Sequence, residues 1–149
     1  MFLMPPAVIY SPEQIERYNQ VVRILWSMQA DAERSGDPLV FHGTTSIRAS
    51  WIVAEGFRPT DLSPPPDGFP EDATKGSDLQ GTFWGSLGTA LQFASRAQGY
   101  DCLPAIFTAR LSDVLQSGTP VVDWRYVDED TPKDYSWQDS LRDGSMVVL

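Results

Sequence analysis

With 149 residues, 42% of them hydrophobic, the chain is long enough for one domain with a substantial core. Its 20 Asp and Glu against 11 Lys and Arg leave a formal net charge of −9, which disfavours general nucleic-acid binding and anionic membranes. The single cysteine, Cys102, excludes an intrachain disulfide and a cysteine metal cluster.

No apolar run reaches the length of a membrane span. The opening Met1-Phe2-Leu3-Met4-Pro5-Pro6 lacks a basic region and is broken by prolines, so it makes a poor signal peptide and a cytoplasmic location is expected. Ser11-Pro12-Glu13-Gln14 has the form of a helix start, with Ser11 as N-cap and Gln14 closing a capping box. Ile15, Tyr18, Val21, Val22, Leu25 and Met28 keep helical spacing to about Ala32, and Ser35-Gly36-Asp37-Pro38 stops it. The segment from 12 to about 34 is therefore a helix that packs on the core. Leu39-Val40-Phe41-His42-Gly43-Thr44 follows, a buried strand delivering the only histidine to one of its ends.

Thr45 or Ser46 caps a second helix with Ile47, Trp51, Ile52 and Ala54 as its apolar positions and Gly56 as its stop. From Arg58 to Gln80 the chain is rich in Pro, Gly and Asp, including Ser63-Pro64-Pro65-Pro66-Asp67-Gly68. A connection of that length is functional or disordered, and its place between two apolar elements favours a lid. Gly81-Thr82-Phe83-Trp84-Gly85 is a short aromatic strand. Ser86 or Thr89 then opens a helix carrying Leu87, Ala90, Leu91, Phe93 and Ala94 and ending near Gly99. Further strands are expected within Leu103–Leu111, Val121–Val127 and Met146–Leu149, with Trp137 anchoring the polar stretch 128–142. Helices and strands mix without a regular βαβ rhythm, so the class is α+β.

There is no Gly-x-x-x-x-Gly-Lys phosphate loop, no Gly-x-Gly-x-x-Gly after a strand, no metal-ligand set around the histidine and no Gly-x-Ser-x-Gly elbow. What remains is an ordered series: His42-Gly43-Thr44 on a strand, Gly56-Phe57-Arg58 at a helix end, a Pro-rich loop, Gly81-Thr82-Phe83-Trp84-Gly85, then a helix bearing Ala90 and Phe93. This series, over roughly Leu39 to Leu111, resembles the catalytic core of ADP-ribosyltransferases of the poly(ADP-ribose)-polymerase-like, His-Tyr-Glu type.

The resemblance implies a mixed, mostly antiparallel split sheet with flanking helices, a core spanning about 39–149, and NAD as substrate without a metal. It implies that His42 binds the nicotinamide-side ribose, that the backbone of Gly43 and the hydroxyl of Thr44 hold the carboxamide, and that Phe83 and Phe93 stack on nicotinamide. The sequence departs from the family at two places. Phe83 replaces the motif tyrosine, and the final strand has Ser145 where the catalytic glutamate is expected. Asp143 is the nearest acid and the first candidate for the carboxylate, with Asp113 and Glu129 as rivals; small antibiotic-modifying relatives use an aspartate. The implied activity is mono-ADP-ribosyl transfer from NAD to a protein or small-molecule acceptor. The alternatives are a catalytically silent module that binds NAD, ADP-ribose or a protein, and a NAD glycohydrolase. The acidic charge argues against an RNA 2′-phosphotransferase.

Overall fold

The computed structural model describes residues 10–61 and 80–149. Helix α1 (Pro12–Ser35) starts as its sequence predicts: the Ser11 hydroxyl accepts from the Gln14 N–H, and the Gln14 side chain accepts from the Ser11 N–H. It ends at Gly36, whose φ of 85° is the left-handed conformation a C-cap glycine supplies. At 24 residues α1 spans about 36 Å, whereas the longest strands have seven residues and span about 23 Å. Leu25 is buried, while Ile15, Val21 and Met28 of the predicted apolar stripe are exposed.

Five strands follow the order β4-β1-β3-β6-β5: β1 (Leu39–Thr45), β3 (Gln80–Gly85), β4 (Pro104–Arg110), β5 (Pro120–Val122) and β6 (Ser145–Val148). The two-residue β2 (Thr60–Asp61) pairs with β3. Every pairing is antiparallel. Helices α2 (Ser46–Glu55), α3 (Leu87–Ala94), α4 (Leu111–Ser117) and α5 (Trp137–Asp143) complete an α+β arrangement. The adjacent residues Val40 and Phe41 are both buried, so β1 is covered on both faces. Phe41 packs with Leu25, Leu87 and Ala90; Val40 packs with Trp84, Val114, Met146 and Val148, and Phe57, Trp137 and Leu141 close that second core. Trp137 thus anchors its polar stretch from a helix the sequence reading missed.

Three more expectations are corrected. His42 lies in mid-strand, because β1 keeps pairing with β4 through Thr45↔Pro104. The strand expected to reach Val127 stops at Val122, where Asp123 caps a single 3-10 turn, Trp124–Tyr126. Helix α2 has its predicted cap, Thr45, and its predicted stop, Gly56, but buries none of its residues; Trp51 and Ile47 are exposed.

Candidate functional site

Strands β1 and β3 meet at Phe41↔Gly85 and then part. Continued in register, His42, Gly43 and Thr44 would face Trp84, Phe83 and Thr82, but no such pairs form. The histidine is one physical reason. Its ring Nδ1 lies 2.8 Å from the carbonyl oxygen of Phe83, an acceptor that a continuing ladder would have used. A carbonyl only accepts, so Nδ1 carries the proton and Nε2 keeps a lone pair. Burial is the main cause that holds the ring's pKa below its ordinary value, assisted by the charge of Arg48 and opposed by the bond to Phe83, and so the imidazole is neutral at pH 7. Phe57 meets the ring edge-on at 5.1 Å, and Trp84 and Phe107 lie at 6.0 and 6.4 Å. These contacts fix the ring's orientation on the face of the sheet that carries Val40.

Phe83, one residue from Trp84, projects to the opposite face, where α3 brings Phe93. The two rings are brought together by a third group. The guanidinium of Arg125 lies over Phe83 at 4.3 Å and over Phe93 at 5.0 Å. Sharing one cation at those distances keeps the ring centroids within about 9 Å of each other, so one planar cation touches both faces. Arg125 is held in turn by Asp123, which accepts from its Nε at 2.9 and 3.0 Å and from Nη2 at 2.5 Å.

Asp123 is 1% exposed and sits at the end of β5, where its N–H donates to the Ser140 hydroxyl at 2.9 Å. That hydroxyl donates to the carbonyl of Ser145 at 2.7 Å. Pairs Val121↔Val147 and Val122↔Met146 make Asp123 the next rung opposite Ser145. The Ser145 hydroxyl is 3.4 Å from Arg125 Nη2. A carboxylate therefore stands one strand away from the position where the sequence has serine. Sequence reasoning missed Asp123 and Arg125 because it expected a strand through Val127 and gave neither residue a role. The signal was Val121-Val122-Asp123, an apolar strand running straight into an acid.

The remaining sequence candidates are dispersed. Asp143 ends α5 exposed, and its carboxylate accepts from the Tyr135 hydroxyl at 2.5 Å. Burial first, and then Asp143, push the Tyr135 phenol up to about 12. Glu129 is exposed in a turn. Asp113 lines a cavity of about 420 Å³ on the histidine's face, beside Phe57, Thr82 and Trp84. A cavity of about 440 Å³ between α1 and residues 94–104 shares no residue with the histidine or the ring pair. Thr44 is buried. Gly43 has a packing reason for lacking a side chain: a Cβ there would come within 1.8 Å of the Ala90 carbonyl oxygen, so helix backbone, not open space, lies against it. The expected lid, Pro59–Gln80, falls largely on 62–79, outside the described residues. Among the described residues no group of three or more His, Cys, Asp or Glu could hold a metal ion, and no helix is long and apolar enough to cross a membrane.

No family model, curated protein or solved structure matches the chain.

Proposed function

We propose that the chain is a mono-ADP-ribosyltransferase using NAD, with an ADP-ribosyltransferase-like split sheet. The observation that carries the reading is the Phe83–Phe93 pair over one planar cation, with the Phe83 backbone clamped to the only histidine. The nicotinamide ring of NAD is also a planar cation, and two phenylalanine faces hold such a ring by stacking and by cation–π attraction. Where β1 and β3 part, backbone groups alternate between the gap and β4, so only one of Gly43 and Thr44 can turn its N–H and C=O to a carboxamide there. His42 Nε2 keeps a lone pair that can accept from a ribose hydroxyl, but the ring lies on the opposite face of the sheet from Phe83 and Phe93, so one NAD reaches both only through the opening where β1 and β3 part.

Transfer breaks the bond between ribose C1′ and the pyridinium nitrogen, and the electron pair leaves on that nitrogen, so nicotinamide departs neutral. The acceptor's nucleophile forms the new bond to C1′ and gives up its proton. The protein's part is to fix the sugar through His42 and the leaving ring through the phenylalanines, and to put negative charge near the developing cation. Among the described residues Asp123 is the buried carboxylate beside the ring pair. The buried serine at position 145 favours a second reading, a silent module that binds NAD without turnover.

Purified protein incubated with nicotinamide-labelled NAD, with and without cell lysate, tests both. Release that needs lysate supports transfer. Release in buffer alone makes the protein a glycohydrolase, and binding without release leaves the silent module. Unchanged release in a folded His42→Ala protein overturns the site.

A further inference from the structure

Arg125 raises a question that the reading above leaves open, since its guanidinium already covers both rings. Two features show how it is held. Asp123 is 1% exposed and fixed at the end of β5, whereas the Arg125 side chain is 42% exposed and rides on a single 3-10 turn. The carboxylate is thus the immobile partner and the guanidinium the movable one. Arg96 lies over Phe93 at 4.6 Å but makes no such contact with Phe83, so Arg125 alone bridges the two rings among the described residues.

We propose that Arg125 is an internal stand-in for the ligand, and that the site opens by exchange: a planar cationic ring replaces the guanidinium over Phe83 and Phe93 and takes over the charge of Asp123. Identifying that ring as nicotinamide rests on the preceding reading; the exchange itself rests on the ring and carboxylate geometry. The electrostatics set the ligand class. A buried carboxylate left without a cation is heavily penalised, so a neutral planar ring cannot displace Arg125 as readily as a charged one of the same shape. Asp123 keeps the Arg125 backbone N–H, 3.1 Å from its Oδ1, while the side chain swings away. The site accordingly selects for positive charge as well as for flatness. It binds a pyridinium before the glycosidic bond breaks and releases the neutral ring afterwards, when the guanidinium can return.

The test follows the Arg125 Nε–H resonance by NMR during titration with 1-methylnicotinamide, a pyridinium without sugar or phosphate, and with neutral nicotinamide. In the wild-type protein the resonance should start ring-shifted and move to the position of a solvated arginine with 1-methylnicotinamide. Nicotinamide should be about tenfold less effective or worse. A resonance unmoved by 1-methylnicotinamide, or an equal response to both compounds, overturns the proposal. Arg125→Lys keeps a cation on Asp123 but loses the planar stack, so it should bind 1-methylnicotinamide about three- to tenfold more tightly; weaker binding overturns the proposal as well. Nicotinamide release from NAD is read on the same samples. Exchange without release overturns the transferase reading alone, and release without exchange overturns the stand-in alone.

Discussion

Replacing Gly43 by alanine separates two reasons for a glycine in the histidine strand. The added Cβ would lie 1.8 Å from the Ala90 carbonyl oxygen, 2.6 Å from its carbonyl carbon and 2.9 Å from its Cα. A relaxed carbon–oxygen contact is about 3.3 Å, so the helix backbone must retreat by about 1.5 Å. It has little room to do so, because Leu87, Ala90 and Ala94 are all at most 2% exposed and seat α3 on the sheet. Overpacking of this kind costs about 1–3 kcal/mol, and a backbone neighbour puts Gly43→Ala near the upper end, about 3 kcal/mol. For a chain of this size that corresponds to a fall in Tm of about 6–12 °C, read by circular dichroism. Gly88→Ala is the control on the same helix. Its nearest neighbour is the Ser86 hydroxyl at 4.0 Å, so it should stabilise by about 0.5–1 kcal/mol. A Gly43→Ala protein melting within about 2 °C of its parent would refute the packing argument. It would leave the glycine to be explained by a ligand's approach to the backbone.

Three other outcomes are expected. Because burial depresses the His42 pKa below 6.5, the unfolded chain binds the extra proton first; stability is full above pH 6.5 and falls as pH drops from 6.5 toward the folded value, at up to about 1.4 kcal/mol per pH unit. Melting curves between pH 8 and 5 should show that slope, and a His42→Gln protein that keeps it would assign it elsewhere. Phe83→Ala should weaken NAD binding by about 1–2 kcal/mol in calorimetry, whereas Phe83→Tyr should be tolerated; normal binding by the alanine protein would return both rings to the core. Asp143→Asn should leave nicotinamide release intact and let the Tyr135 phenol, now held at about 12, titrate closer to 10 in an absorbance titration. A large loss of release in that variant would restore Asp143 to the mechanism.

The chain as far as Ser86 was legible where its signals are local. Ser11 and Gln14 form a capping box within one turn, and Gly36, Thr45, Gly56 and Ser86 mark helix ends by backbone chemistry that needs no distant partner. Beyond α3 the chain was less legible, because its elements are short and set by contacts far along the chain. Helix α4 has seven residues with one buried, Val114, and α5 likewise buries one, Ser140, so neither shows a sustained apolar period. Residues 123–127 could have extended β5, but Asp123 turns to cap the next residues and to grip Arg125. At the site, the strand pattern singled out His42, and the resemblance of the motif series implied Phe83 and Phe93. Neither could show that the histidine joins Phe83 through a backbone carbonyl, since that bond depends on two strands parting.

The position of the acid follows the same logic. A reader moving along the last strand meets Asp143, then Gly144, then Ser145, and chooses the acid closest in sequence. Asp143, however, belongs to a helix end, and Gly144, with φ of 147°, turns the chain between it and the strand. Neighbours on a sheet run across strands. Gly85, Ser145 and Asp123 form one row over β3, β6 and the end of β5, about 5 Å between successive members. A carboxylate moved sideways along that row stays on the same face, whereas one moved two places along the chain is carried out of the strand. Gly85 ends the row with the Gly144 carbonyl packed where a Cβ would stand, and Ser140 ties β5 to β6 through the Asp123 N–H and the Ser145 carbonyl. On the proposed reading, the charge that a final-strand glutamate would supply comes from Asp123, and Arg125 is present because a carboxylate buried this deeply needs a cation whenever no ligand provides one.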